Sequence, residues 1–180
     1  MITEFWNRKK IYIILVVLSL LGMYASFALS IENYLGLVDV NHVAACSIND
    51  VLNCSKLFSE PESHLLGFPN MYFGIATYSI SFAYSFICLF IQERSKILEK
   101  IGFFAGLGAI TLSYYLLFYV SMFKASVLCI FCMASAFAST NIFFSFLSIN
   151  YQVKYLKYII AIWNILVVTS LVLFYITHHQ

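Results

Sequence analysis

Five runs of roughly 20 mainly apolar residues, at about 11–31, 70–91, 101–123, 128–149 and 155–177, constrain this chain more than any other feature. A helix rises about 1.5 Å per residue and a bilayer's hydrocarbon core is about 30 Å thick, so each run can cross it. Charged residues make up 10% of the 180 and hydrophobic ones 62%, whereas a soluble domain carries roughly a quarter charged residues. The expectation is an all-α integral membrane protein, one membrane domain over 1–180. The first run follows Arg8, Lys9 and Lys10 as a signal peptide would. It outruns an h-region of about 7 to 15 residues and no clear small-residue cleavage site follows, so it is read as a helix of the mature protein.

Positive charge orients the spans, because short cytoplasmic loops collect Lys and Arg. Arg8, Lys9 and Lys10 precede the first span, Arg94, Lys96 and Lys100 separate the second and third, and Lys154 and Lys157 separate the fourth and fifth. These share one side, read as cytoplasmic. The other side receives the long loop at about 32–69, the turn near Lys124 and the C-terminal His178, His179 and Gln180. The loop is acidic on balance, with Glu32, Asp39, Asp50, Glu60 and Glu62 against Lys56. A net charge of +2, with basic residues in short clusters, gives no stripe for nucleic acid.

Four of the five cysteines fall on the outer side. Cys46 and Cys54 lie in the loop, and Cys129 and Cys132 open the fourth span in the stretch KASVLCIFCMASA. A helix N-terminus, with its unpaired N–H groups and positive dipole end, favours the thiolate that attack on a disulfide or a quinone requires. The C-x-x-C spacing also allows the two sulfurs to close, so the pair can carry two electrons. A four-thiol zinc site fits poorly, because seven residues separate Cys46 from Cys54 where zinc knuckles use two to four. No metal is expected. A structural disulfide between the loop cysteines remains open at this stage, but the two pairs together favour a relay from soluble dithiols through the loop to the helix. With no flavin, haem or nucleotide motif visible, the acceptor would be a lipid-soluble quinone. Cys88, alone in the second span, reads as a packing residue. His42 and His64 read as solvated loop histidines.

In order and spacing, Cys46, Cys54-Ser55-Lys56-Leu57-Phe58-Ser59, Asn70-Met71-Tyr72-Phe73-Gly74 and Cys129-Ile130-Phe131-Cys132 resemble the motifs of the vitamin K epoxide reductase family. The resemblance implies a four-helix bundle around a quinone, a fifth transmembrane helix and a capping outer loop. It implies Cys132 as the thiolate nearest the quinone, Cys129 as its resolving partner, Cys46 and Cys54 as the shuttle, and a transient Cys54–Cys129 bond. Asn70 would hydrogen-bond a quinone carbonyl, with Phe58 and Phe73 near the ring. From the residues alone Asn70 reads first as a helix cap, and it is the resemblance that favours the quinone role.

One departure from the family pattern is Ala136, where animal members carry a Tyr four residues after the second cysteine. That weakens epoxide reduction as the activity and points to the bacterial branch. The function expected is therefore a bacterial inner-membrane thiol:quinone oxidoreductase. It would oxidise a separate periplasmic thioredoxin-fold protein and reduce ubiquinone or menaquinone, with its N-terminus cytoplasmic and its C-terminus periplasmic. The alternatives are an epoxide or quinone reductase of the endoplasmic reticulum, and a non-catalytic scaffold or transporter with a structural disulfide. No span core carries the ionisable residue that ion-coupled transporters need.

Overall fold

The computed structural model describes residues 2–39, 41–65, 67–90, 96–151 and 155–178. Arg94, Lys154, His179 and Gln180, which figure in the sequence reading, lie outside the described residues, as does position 91 at the end of the second run. In chain order the elements begin with α1 (Ile2–Val38), the short α2 (Cys54–Phe58) and a single 3₁₀ turn at Pro61–Ser63. The two-residue strands β1 (His64–Leu65) and β2 (Phe68–Pro69) pair antiparallel and lead into α3 (Asn70–Phe90). Next come α4 (Lys96–Tyr114), its π-helical continuation Tyr115–Lys124, α5 (Ile130–Tyr151) and α6 (Leu156–His178). Five of these helices, α4 being counted with its continuation, are long and apolar enough to cross a bilayer. The chain is an all-α, multi-pass membrane protein.

Two boundaries differ from the sequence reading for physical reasons. α1 runs well past 11–31 at both ends, because an apolar window marks only what lipid must cover while the backbone stays helical until something stops it. Glu32 therefore belongs to α1 and not to the loop. α4 starts earlier than 101 and carries Glu99 into its first turn, where an acidic side chain suits the positive helix end. Glu99 is buried there, and its carbonyl receives the Asn150 side-chain amide at 3.3 Å.

α1 packs closely against α3 and α5, and α4 packs closely against α5, whereas α3 and α4 meet only lightly. The bundle is thus tight on three seams and open on the fourth. Small residues and hydroxyls make the tight seams, as expected where lipid supplies no hydrophobic drive between helices. Ser19 of α1 donates to Ser81 of α3 at 2.9 Å, and the Tyr78 hydroxyl of α3 donates to the Ser135 carbonyl of α5 at 2.8 Å. Gly22 of α1 faces Tyr78 so closely that a Cβ there would come within 2.5 Å of its ring. Gly22→Ala is accordingly expected to destabilise the protein by about 1 to 3 kcal/mol through overpacking. Thermal unfolding in detergent should show this, while Gly36→Ala, whose Cβ would meet nothing within 4 Å, should not lower the midpoint, since Ala is the better helix former.

α6 lies outside the four-helix bundle. Among its described residues only Leu156 is buried, and Ile162, Ile165, Leu166, Val168, Leu173 and Ile176 are exposed. Such a face is tolerable against acyl chains and would be a liability in water. Polar contacts help to hold α6 to the bundle: Trp163 Nε1 donates to the Tyr114 hydroxyl at 2.7 Å, and Asn164 Nδ2 to Asn141 Oδ1 at 3.4 Å.

Candidate active site

The loop between α1 and α3 folds onto the outer end of the bundle around a disulfide, Cys46–Cys54, whose Cα atoms are 5.7 Å apart. Short polar side chains brace it. Ser47 Oγ donates to Asn53 Oδ1 at 3.1 Å and lies 3.0 Å from Ser55 Oγ, and Ser55 Oγ accepts the Ala44 N–H at 3.1 Å. Asn53 caps α2 by accepting the Lys56 N–H at 3.1 Å, as Asn at this position favours. At the inner edge His42 Nε2 lies 2.9 Å from Glu32 Oε2, which also accepts the Ala45 N–H at 3.1 Å. His42 therefore has a specific partner, whereas His64 is exposed.

Backbone pairing then brings the two cysteine pairs together. The Asn53 N–H donates to the Leu128 carbonyl at 3.0 Å and the Leu128 N–H to the Val51 carbonyl at 2.6 Å, an isolated parallel bridge between Leu52 and Leu128. One residue beyond these bonds stand Cys54 and Cys129, with their sulfurs 3.3 Å apart and both residues fully buried. The chain reaches Leu128 through a tight turn in which Ser126 adopts φ 52°, the left-handed region that a non-glycine residue seldom occupies. Ser121 spans that turn, its hydroxyl donating to the Val127 carbonyl at 2.5 Å.

Cys129 sits one residue before α5 and not in its first turn as expected from the sequence. It occupies the cap position, and its sulfur accepts the Cys132 N–H at 3.2 Å, the bond that a capping oxygen would take. Both thiols are free, Cys129 buried and Cys132 partly exposed. Cys129 thus touches the loop disulfide on one side and the Cys132 backbone on the other.

Beside Cys132 lies a cavity of about 310 Å³, within the range of small-molecule sites. It occupies the open seam between α3 and α4, roofed by Phe58 and Ser63. Asn70, Phe73, Gly74, Thr77 and Tyr78 line one wall, Ala105, Gly108, Ala109, Leu112 and Ser113 the other, and Cys132 and Ser135 the back. Cys132, Asn70, Phe58 and Phe73, separated in sequence by up to 74 positions, therefore share one chamber. A second space of about 70 Å³ continues along the same seam, sharing Thr77, Tyr78, Ala105 and Ala109 with the first and lined further by Ile80, Ile101, Gly102 and Ile142. Asn70 is the first residue of α3 and not its cap. Its Nδ2 donates to the Glu62 carbonyl at 2.7 Å.

Reasoning from the sequence missed Tyr78, Ser135, Ser63, Ser113 and Thr77. Tyr78 stands two helical turns from Asn70 on the same face of α3, with Gly74 and Thr77 between, and that spacing was the available signal. Ala136 is buried at 2% exposure and is not among the described lining residues. Its carbonyl accepts from Thr140 Oγ1 at 2.6 Å. Cys88 packs against the inner core cluster around Tyr12, Leu15 and Phe146. Among the described residues no three His, Cys, Asp or Glu side chains converge as a metal site requires.

An ion-pair group closes the outer edge. Lys124 Nζ lies 2.5 Å from Glu62 Oε2 and 3.2 Å from Glu60 Oε2. The hydrogen bond from Lys124 holds the Glu62 carboxyl below the usual carboxylate range.

Residues 13–147 match the vitamin K epoxide reductase family model, a span that takes in all five cysteines and both cavity walls. No curated protein matches the chain significantly.

Proposed function

We propose that this chain, which belongs to the vitamin K epoxide reductase family, oxidises the dithiol of a thioredoxin-fold partner and reduces a membrane quinone. Family membership makes it a membrane oxidoreductase of a quinone-using family. The observation that carries the finer reading is the 3.3 Å contact from Cys54 to Cys129, with Cys132 on the cavity wall three residues further along.

The electron path has four balanced steps. The partner's two thiols reduce Cys46–Cys54 and leave as a disulfide. Cys54, as thiolate, attacks Cys129 of a Cys129–Cys132 disulfide, which forms Cys54–Cys129 and frees the Cys132 thiolate. Cys46 attacks Cys54, restoring Cys46–Cys54 and releasing Cys129. The Cys129 and Cys132 thiols then give two electrons and two protons to the quinone, closing their own disulfide and releasing a hydroquinone. Asn70 steadies charge developing on one quinone oxygen, while Phe58 and Phe73 pack near the ring. The apolar space along the α3–α4 seam suits an isoprenoid tail and an approach from the lipid. Cys46 is only 4% exposed, so attack by the partner requires the turn around it to move. The outer side lies opposite the loops rich in Lys and Arg, and Ala136, where animal members carry Tyr, favours reading that side as the periplasm of a bacterial inner membrane.

Purified protein in nanodiscs, supplied with a reduced thioredoxin-fold dithiol and either ubiquinone or menaquinone, tests this. One hydroquinone should form for each partner disulfide, and vitamin K epoxide should not turn over. Quinone reduction at the rate of a protein-free control would overturn the reading.

A further inference from the structure

Glu62 is gripped at both ends. Its carboxylate takes the Lys124 ammonium, shared with Glu60, and its carbonyl takes the Asn70 side-chain amide at 2.7 Å. Between Glu60 and His64 the chain makes a single 3₁₀ turn that starts at Pro61, whose ring fixes φ. Ser63, in the same turn, is buried against the cavity and donates to the Leu57 carbonyl at 2.6 Å. This turn is the roof of the chamber at the α3 wall. Lys124 ends the span whose residues Leu112, Ser113 and Leu116 form the opposite wall. The ion pair therefore bridges the mouth of the seam where α3 and α4 themselves hardly meet.

An exposed ion pair by itself contributes little to stability. The consequence here lies in the other end of Glu62. A primary amide carries two N–H groups on one planar nitrogen, so engaging one with the Glu62 carbonyl sets the direction of the whole carboxamide. We infer that Lys124 is a positioning residue: by holding Glu62 it fixes the Asn70 amide on the cavity wall, so that it governs quinone binding without touching quinone. This rests on the quinone reading above. Lys124 faces Glu60 and Glu62, and the three charges form one group at the outer surface. Protonation of Glu62 releases the grip, so quinone KM should rise as pH falls through the depressed value of that carboxyl. It should stay flat over that interval in Glu62→Gln.

The experiment measures KM and kcat for a soluble quinone with the full chain in nanodiscs. Lys124→Gln should raise KM about tenfold, as loss of alignment at a binding group does, with kcat within about twofold. The unfolding midpoint should stay within about 2 °C. Glu62→Lys combined with Lys124→Glu should recover most of the KM. In an Asn70→Ala background, Lys124→Gln should add nothing, because the lysine acts only through that amide. If Asn70→Ala raises KM while Lys124→Gln does not, or if the two effects multiply, the positioning role is wrong and the quinone site stands. If Asn70→Ala leaves KM unchanged, the quinone assignment of Asn70 fails and takes this inference with it.

Discussion

Cys132→Ala is expected to abolish steady quinone reduction, by roughly 10³-fold or more, while leaving one round of partner oxidation intact. The argument is geometric. Cys132 is the one cysteine among the described residues lining the chamber, and Cys129 is fully buried against Cys54. Without Cys132 no thiolate faces the quinone, and Cys129 has no partner with which to close a disulfide. The loop disulfide Cys46–Cys54 is untouched, so a reduced thioredoxin-fold protein can still discharge its electrons into it once. Under anaerobic conditions the variant should therefore yield about one partner disulfide per chain and then stop. Cys88→Ala, which removes a thiol from the inner core, should turn over normally. Continued turnover in Cys132→Ala above about one hundredth of the parent rate would show that electrons reach quinone by another group.

The parts of this site differ in how legible they are from sequence, and the reasons are physical. Spans are legible because lipid imposes one requirement, about 20 apolar residues, and the five runs meet it. Their ends are less so. Hydropathy does not see the helical continuation of α1 to Val38 or the early start of α4 that places Glu99 in a helix. Thiol pairs stand out because cysteines at fixed spacing are rare, whereas Asn70 is legible only through its resemblance to a family motif, since by itself it reads as a helix cap. Tyr78 and Ser135 do not stand out, since single hydroxyls in membrane helices serve packing as often as chemistry. The bridge between Leu52 and Leu128 leaves no sequence trace at all, because it is made by backbone N–H and C=O groups that every non-proline residue carries. Yet that bridge sets the distance between Cys54 and Cys129. The position of Cys129 as a cap, one residue short of the expected helical turn, follows from the same hydrogen bonds.

That dependence on backbone leads to the second large effect, a trapped bond. In Cys46→Ala the thiolate of Cys54 can still attack an oxidised Cys129–Cys132 pair, which lies in reach at 3.3 Å from Cys54 to Cys129. Cys46 is then missing from the step that would release the product, so Cys54–Cys129 should accumulate with Cys132 left as a free thiol. A non-reducing peptide map should find this bond in more than half of the molecules, and quinone turnover with a dithiol protein partner should fall by about 10²-fold or more. A map showing Cys129–Cys132 with Cys54 free would mean that the contact is packing and not exchange. The bridge supplies the control. Leu128→Pro removes the N–H that binds the Val51 carbonyl, and one lost backbone hydrogen bond is worth about 1 kcal/mol. In the Cys46→Ala background it should lower the ratio of trapped to open molecules by about fivefold. If the trapped fraction is insensitive to that bond, the two sulfurs meet for reasons other than the pairing of Leu52 with Leu128. If it drops as expected, a two-residue backbone contact is what couples the soluble half of the relay to the half buried at the membrane.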